Sequence, residues 1–588
     1  MCTKTLANAI RFLTVDAVEK AQSGHTGMPL GMADVATVLF KNHLKFYAKE
    51  PLWKHRDKLI LSCGHGCMLQ YTLLYLTGYE DITIEDIKNF RQLHSPCSGH
   101  PEYGLLKGIE VTTGPLGQGI GHAVGMALSD QHEGLDRHIY VMVSDGDLME
   151  GIAHEAFALA KEHNLSKLIF LYDDNQSTID GRTFIGRGID KLMAYYEFNF
   201  QSIDGHDPEA IDHALTKARK GNVPQFIACK TIIGYGVKET EGKYAMHSDP
   251  VGQKLIDHMR ERFNWPYTPF EIPEEILKQW RDIGAQYKDA FLLKPEYDRN
   301  YRSVYQNKEV QFTQEMMSTR DAFGALIKEY DVIGGSCDLG GSTRANKAKT
   351  YRAFGVREHG MGAALNGIVL SKTYRAFGTT FFVFSDYMRP AIRMAALMRV
   401  PTVFIYTHDS IGVGEDGPTH QPVEHLASLR AMPHLNVYRP CDANETQVCL
   451  QQAFEDIDKP SVIALTRQAL PVIHKFPAFP EGELDFVFLA TGSEVHLALE
   501  VATELELKHS VRVVSIPCVE KFHDFKALEG KKRIIIEAGC RQSWEKFLRP
   551  GDMFFGIEDF GHSAPYTDVY VEMGLTKNVI LNAVKDLL

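Results

Sequence analysis

The chain has 588 residues, 44% hydrophobic and 23% charged, the composition of a folded protein too long for one hydrophobic core. A net charge of −12, with no basic run longer than Lys531-Lys532-Arg533, argues against nucleic acid as a partner, because phosphate backbones attract a basic face. Residues 1–12 lack a signal-type apolar core and no apolar stretch has membrane-spanning length, so we expect a cytoplasmic protein with no membrane partner and ten reduced cysteines.

Short apolar runs bounded by polar residues alternate along the chain with segments of helical spacing. Early on, Cys63-Gly64-His65-Gly66-Cys67 offers zinc-type ligands, but not at the usual finger or ribbon spacing. Residues 139–143 and 168–171 read as strands. The stretch 264–310 is rich in proline, tyrosine and charge, and β/α alternation resumes from Gln311 with a strand at 403–405. Pro471, Pro477, Pro480 and Gly482 crowd together before Glu483, and a fresh strand series follows at 486–489, 511–514 and 534–536. The expected fold class is α/β, with three domains of mainly parallel sheets flanked by helices. Their expected limits are 1–310 (including a linker from about 264), 311–475 and 476–588.

Two strand ends carry chemistry. The first ends in Ser144-Asp145-Gly146, the second in Asp173-Asp174-Asn175, with Asn175 thirty positions after Asp145. The carboxyl ends of parallel strands are where such sheets bind ligands. A carboxylate, an amide oxygen and the carbonyl of Ser177 are hard donors suited to Mg²⁺ whose other ligands come from a diphosphate. Asp145 and Asn175 could equally cap the helices that follow.

The pair is similar to the thiamine diphosphate motif of the transketolase family. Other motifs of that family follow in order: Ser23-Gly24-His25-Thr26-Gly27, Gly64-His65-Gly66, Gly99-His100-Pro101-Glu102 and Thr113-Gly114-Pro115-Leu116-Gly117-Gln118-Gly119. Further on stand Gly355-Val356-Arg357-Glu358-His359-Gly360-Met361, Tyr406-Thr407-His408-Asp409-Ser410, Gly414-Glu415-Asp416-Gly417-Pro418-Thr419-His420-Gln421-Pro422 and Thr466-Arg467-Gln468. The resemblance spans essentially the whole chain and is closest to the bacterial and yeast type. It implies a diphosphate-binding domain, a pyrimidine-binding domain and a C-terminal transketolase domain, in a homodimer with active sites between subunits. It also implies transfer of a two-carbon ketol group between sugar phosphates in the pentose phosphate pathway, with thiamine diphosphate and Mg²⁺, for which Ca²⁺ or Mn²⁺ can substitute.

By the same resemblance, Asp145, Asn175 and Ser177 hold the metal, and His65, Gly114, Leu116, Gly146 and His247 line the diphosphate. Glu358 protonates the cofactor's aminopyrimidine, and Phe381, Phe384 and Tyr387, spaced as on one helix face, surround that ring. His25, His100, His247 and His420 serve donor and acceptor hydroxyls as acids or bases, with His408 and Asp416 also on the sugar. Arg320, Ser342 and Arg467 grip the sugar phosphate, with His420 assisting. Departures from the family are Ser144 for glycine, Cys63 before Gly-His, Met246-His247-Ser248 around the cofactor histidine, and Gln176-Ser177 after Asn175. The chain is also shorter than usual after Asp130 and between the first two domains. The rival readings are 1-deoxy-xylulose-5-phosphate synthase, dihydroxyacetone synthase and a catalytically inactive homologue kept for binding or regulation.

Overall fold

The computed structural model describes residues 2–183, 185–297, 301–302, 309–478 and 484–586. Residues 298–300 and 303–308 of the expected linker, and Pro480, Gly482 and Glu483 of the expected second boundary, lie outside the described residues. The chain forms two compact units, 1–300 with 370–373, and 301–369 with 374–588.

The first unit is built on a five-stranded sheet: β1 (Lys58–Leu61), β2 (Ile139–Val143), β3 (Leu168–Asp174), β4 (Asn199–Asp204) and β5 (Gln225–Lys230). The spatial order is β1-β2-β3-β5-β4 and every pair is parallel. Strands β1 to β3 are buried along their whole length, which is why they read as continuous apolar runs. Helices α1 (Thr3–Ala21), α2 (Gly27–Val38) and α3 (Cys67–Thr77) contribute to a core that includes Leu13, Leu30 and Tyr71. Helix α4 (Gln118–Glu133) packs on α6 (Gly151–Glu162), and a single turn, α5 (Asp145–Met149), leaves the end of β2. The second strand runs three residues beyond the expected 171. Its polar end stays in the ladder because Asp173 is held by Thr231 and by Asn175.

The second unit contains two further parallel sheets. The larger comprises β6 (Ile333–Ser336), β7 (Thr350–Ala353), β8 (Ala376–Phe381), β9 (Val403–Thr407), β10 (Asn436–Tyr438) and β11 (Ser461–Leu465), in the order β7-β6-β8-β9-β11-β10. The smaller comprises β12 (Phe486–Ala490), β13 (Val511–Ser515), β14 (Lys532–Ile536) and β15 (Met553–Phe555), in the order β13-β12-β14-β15. A buried ionic network ties the two sheets. Arg439, after β10, donates to Asp409 (2.8 Å) and to Glu494, while Arg430 donates to both carboxylate oxygens of Glu537 at 2.8 Å. Charges this deeply buried are tolerable only when fully paired. Two short antiparallel ladders complete the strands, Ser177–Thr178 with Gly181–Arg182 and Met316–Met317 with Leu470–Pro471. Among the described residues no helix is long and apolar enough to cross a membrane.

Candidate active site

In the first unit the expected residues converge on a cavity of about 440 Å³ at the carboxyl ends of β2 and β3, lined among others by Gly114, Leu116, Gly146, Asn175 and Ser177. Ser144 leaves β2 and caps α5: its side chain accepts from the Asp147 amide, and Asp147 returns the bond. Asp145 is therefore not the cap. Its Oδ1 accepts from the Tyr172 hydroxyl at 2.7 Å, and its buried Oδ2 has no hydrogen-bond partner. Nor does Asn175 cap a helix. Its Nδ2 donates to Asp173 Oδ2 (2.7 Å) and its Oδ1 accepts from the Ser177 amide (3.0 Å), a tight turn that Gln176 makes at φ 57°.

Burial raises the Asp145 carboxyl to about 6 and that of Asp173 to about 7; repulsion from Asp174 adds to both, and repulsion from Asp145 adds to Asp173. A divalent cation would reverse that desolvation cost. The orphaned Oδ2 of Asp145 and the polar side chain of Asn175 are the donor types it requires, so these residues fit a metal. The turn on the other wall also suits a bulky anion. Gly114 holds φ 145°, a conformation open to glycine, and a Cβ on Gly146 would come within 2.7 Å of the Leu116 side chain.

Four imidazoles line the same cavity. Ring centres lie 5.3 Å apart for His25 and His65, 6.1 Å for His25 and His100, 5.6 Å for His25 and His247, and 4.8 Å for His65 and His247. Burial lowers the proton affinity of all four, that of His25 to about 4, aided there by His247, Arg91 and His100. At neutral pH the cluster is uncharged, so each ring can both donate and accept. The two thiols flanking His65 point elsewhere: Cys63 donates to the Met142 carbonyl (3.6 Å) and Cys67 to that of Gly99 (3.3 Å).

The remaining expected residues lie in the second unit. Glu358 opens helix α7 (Glu358–Leu370), is 8% exposed, and accepts a long 3.5 Å bond from Thr380; burial raises its proton affinity. Phe381, Phe384 and Tyr387 do not share one helix. Phe381 ends β8, Phe384 lies in the turn Phe382–Phe384, and Tyr387 belongs to the first turn of α8 (Ser385–Met398). The chain bends there, so the rings still stack, with Phe381 and Phe384 6.0 Å apart at 15°. His408 packs its ring 3.7 Å from Phe381, and His420 lies 5.4 Å from Phe384. Tyr387 is mostly exposed.

Beside these rings stands a cationic group. Arg320 donates to the Ser342 carbonyl (3.2 Å), and its buried Nε has no partner. Arg467 donates to the Val413 carbonyl (3.0 Å) and Glu415 (3.3 Å). Burial, with Arg320 and Arg467 adding to it, pushes His408 down to about 3. Asp416 is exposed on the loop after Gly414. That loop is braced from the C-terminal sheet's side by Gln421, which donates to the carbonyls of Gly414 (2.8 Å) and His562 (2.9 Å), and by Ser563, which donates to Glu415 O (2.6 Å).

Sequence reasoning missed several supports. Asp147, wholly buried, accepts from Ser62 and Gly117 (2.7 Å each) and thereby joins β1, β2 and α4; its signal was the Ser-x-x-Asp capping spacing. Tyr172 and Asp173, which aim Asp145 and Asn175, stand within the second strand end. Arg344, a third guanidinium near Arg320, carried no local signal.

Three family models match in order: the transketolase thiamine diphosphate binding domain over residues 2–322, the transketolase pyrimidine binding domain over 315–472, and the transketolase-like C-terminal domain over 475–576. A transketolase of Sinorhizobium medicae is 41% identical, covering 100% of this chain and 94% of its own. One of Rhodobacter capsulatus is 42% identical, with 99% and 98% covered. Among solved structures, the Campylobacter jejuni transketolase superposes with a TM-score of 0.91 at 37% identity, covering 99% of both chains. A Pichia stipitis transketolase in complex with sedoheptulose 7-phosphate gives 0.90 at 33%, covering 100% and 97%. With three domain models in sequence and full-length relatives on both counts, the chain belongs to the transketolase family of ketol transferases.

Proposed function

We propose that the protein moves a two-carbon ketol group reversibly from a ketose phosphate to an aldose phosphate, in the pentose phosphate pathway of the cytoplasm. It does so with thiamine diphosphate and Mg²⁺, or Ca²⁺ or Mn²⁺ in its place. The working form is a homodimer with active sites at the subunit interface, and the chain divides into a diphosphate-binding domain (1–310), a pyrimidine-binding domain (311–475) and a C-terminal domain (476–588). The observation that carries this reading is the unpartnered, buried Oδ2 of Asp145, whose chain neighbours Ser144 and Gly146 line a cavity together with Asn175, Ser177 and four imidazoles. The relative solved with sedoheptulose 7-phosphate supports the sugar-phosphate substrate.

Asp145, Asn175 and the Ser177 carbonyl hold the metal, and Gly114, Leu116, Gly146 and His65 receive the diphosphate. When bound, thiamine diphosphate supplies the carbon nucleophile and the electron sink for breaking and making the carbon–carbon bond. Glu358, whose proton affinity burial raises, would give a proton to the pyrimidine ring nitrogen, and Phe381 with Phe384 and Tyr387 would form the flat apolar slot. His25, His100 and His247, neutral at physiological pH, take a hydroxyl proton as the bond breaks and return one to the new carbonyl oxygen. Arg320, Arg467, Ser342 and His420 fix the phosphate, and His408 and Asp416 orient sugar hydroxyls.

The test is turnover. Purified protein with the cofactor, Mg²⁺, xylulose 5-phosphate and ribose 5-phosphate is expected to form sedoheptulose 7-phosphate and glyceraldehyde 3-phosphate. Absence of product from folded, cofactor-loaded protein would leave the inactive homologue as the better reading.

A further inference from the structure

The five-stranded sheet has a second end. Asp57, His138 and Lys167 each immediately precede β1, β2 and β3, three neighbouring parallel strands, and so lie side by side at the edge farthest from Asp145 and Asn175. A cavity of about 520 Å³ opens there, and Lys45, Arg219 and Lys220 complete its walls. Asp57 is fully committed to holding those walls together. Its side chain is 1% exposed and accepts from the amides of Lys45 (3.0 Å) and His138 (2.8 Å) and from the Arg219 guanidinium (3.0 Å).

That leaves more positive than negative charge. The second acid, Asp136, is 86% exposed and pairs with Lys167 at 2.5 Å. Among the described residues neither Lys45 nor Lys220 has a carboxylate within ion-pair distance; the Lys45 ammonium lies 5.2 Å from the centre of the Trp53 ring. Burial depresses the proton affinity of Lys45, with Arg219 and Lys294 adding to it, despite the pull of Asp57 and Asp136. The connection from α4 to β2, Gly134 to His138, is short and contributes Asp136 and His138 to the walls.

We propose that this edge of the sheet is a binding site for a small phosphorylated anion, separate from the reaction site, with Lys45, Lys220, Lys167 and Arg219 as its donors and Asp136 as the counter-ion that the anion displaces. Ammonium groups around a guanidinium fork match phosphate oxygens, and the volume accepts a ligand of sugar-phosphate size.

The experiment is calorimetric titration of the cofactor-loaded enzyme with inorganic phosphate and, separately, with glycerol 2-phosphate, an unreactive monoester. The wild type is expected to show two classes of phosphate site, one removed by Arg467→Ala and the other by Lys45→Gln with Lys220→Gln. The double variant should lose about tenfold or more in affinity at the second class. Asp136→Asn should tighten the same class. Both variants at this edge should keep wild-type circular dichroism and turnover within about twofold, since the sheet's other edge holds the reacting groups. Unchanged stoichiometry and affinity in the double variant, or a wild type whose every phosphate site vanishes with Arg467→Ala, would overturn the proposal. Tighter binding of glycerol 2-phosphate than of inorganic phosphate at the second class assigns the site to a phosphomonoester, and the reverse order assigns it to free phosphate.

Discussion

The two edges of the first sheet gather charge of opposite sign. At the carboxyl edge, Asp145 and Asp173 are crowded and desolvated, and burial raises both carboxyls toward neutrality. At the amino edge, Lys45, Lys167 and Arg219 gather around one committed acid, Asp57. Parallel strands expose polar side chains at both ends as they leave the core. The proposed ligands of the two edges are accordingly of opposite sign, a cation at one and an anion at the other.

The sharpest break in that comparison is Asp145→Ala, which removes the carboxylate itself. We expect Mg²⁺-dependent cofactor binding, followed by tryptophan fluorescence, to fall by more than the roughly 100-fold seen when an outer partner of a metal ligand is lost. Tyr172→Phe removes the 2.7 Å bond that aims Asp145, with a long 3.5 Å bond to Asp174, and should cost about 10- to 100-fold in Mg²⁺ affinity while the fold survives. At the amino edge the same kind of change should act on stability instead. Asp57→Ala leaves Arg219 without its carboxylate and two amides without an acceptor, and urea unfolding should show a loss on the order of 3 kcal/mol.

Acid sharpens the comparison differently, through the imidazoles beside the carboxyl edge. Burial, reinforced by His247, Arg91 and His100, puts His25 at about 4 in the folded chain against 6.5 ordinarily. Between those values the unfolded chain binds a proton that the folded one refuses, so stability should fall as pH drops from about 6.5 to 4 and stay level above that window. Thermal unfolding of His25→Gln should show a shallower decline over the same range. The smallest effect expected is that of Ser144→Gly, which restores the family residue. Glycine is itself a tolerable cap, so melting should report a loss of only about a few tenths of a kcal/mol.

Much of the candidate site was legible because its residues sit at strand ends and in glycine-rich turns whose spacing survives in the sequence. The run Ser144-Asp145-Gly146 and the distant Asn175 could be placed at two strand ends from the sequence, while the choice between capping and ligand binding rested on the family resemblance. Phe381, Phe384 and Tyr387 do lie near one another, but not on one helix face. A spacing of three suits a helix, yet the residues span a strand end, a turn and a helix start, and the stacking comes from the bend.

Left to itself, the sequence determined the alternation of strand and helix, hence parallel sheets, and the order of the motifs that marks the family, because periodicity and glycine turns are local properties. Only the tertiary structure decided which polar groups would be left wanting. Whether Asp145 is a cap or an unpartnered acid depends on Ser144 taking the cap and on Tyr172 approaching from the next strand. Whether Lys45 is an idle surface charge or a donor depends on strands 81 and more residues apart in sequence bringing Asp57 and His138 together. Burial and pairing are set by neighbours distant along the chain, and a linear pattern does not contain them.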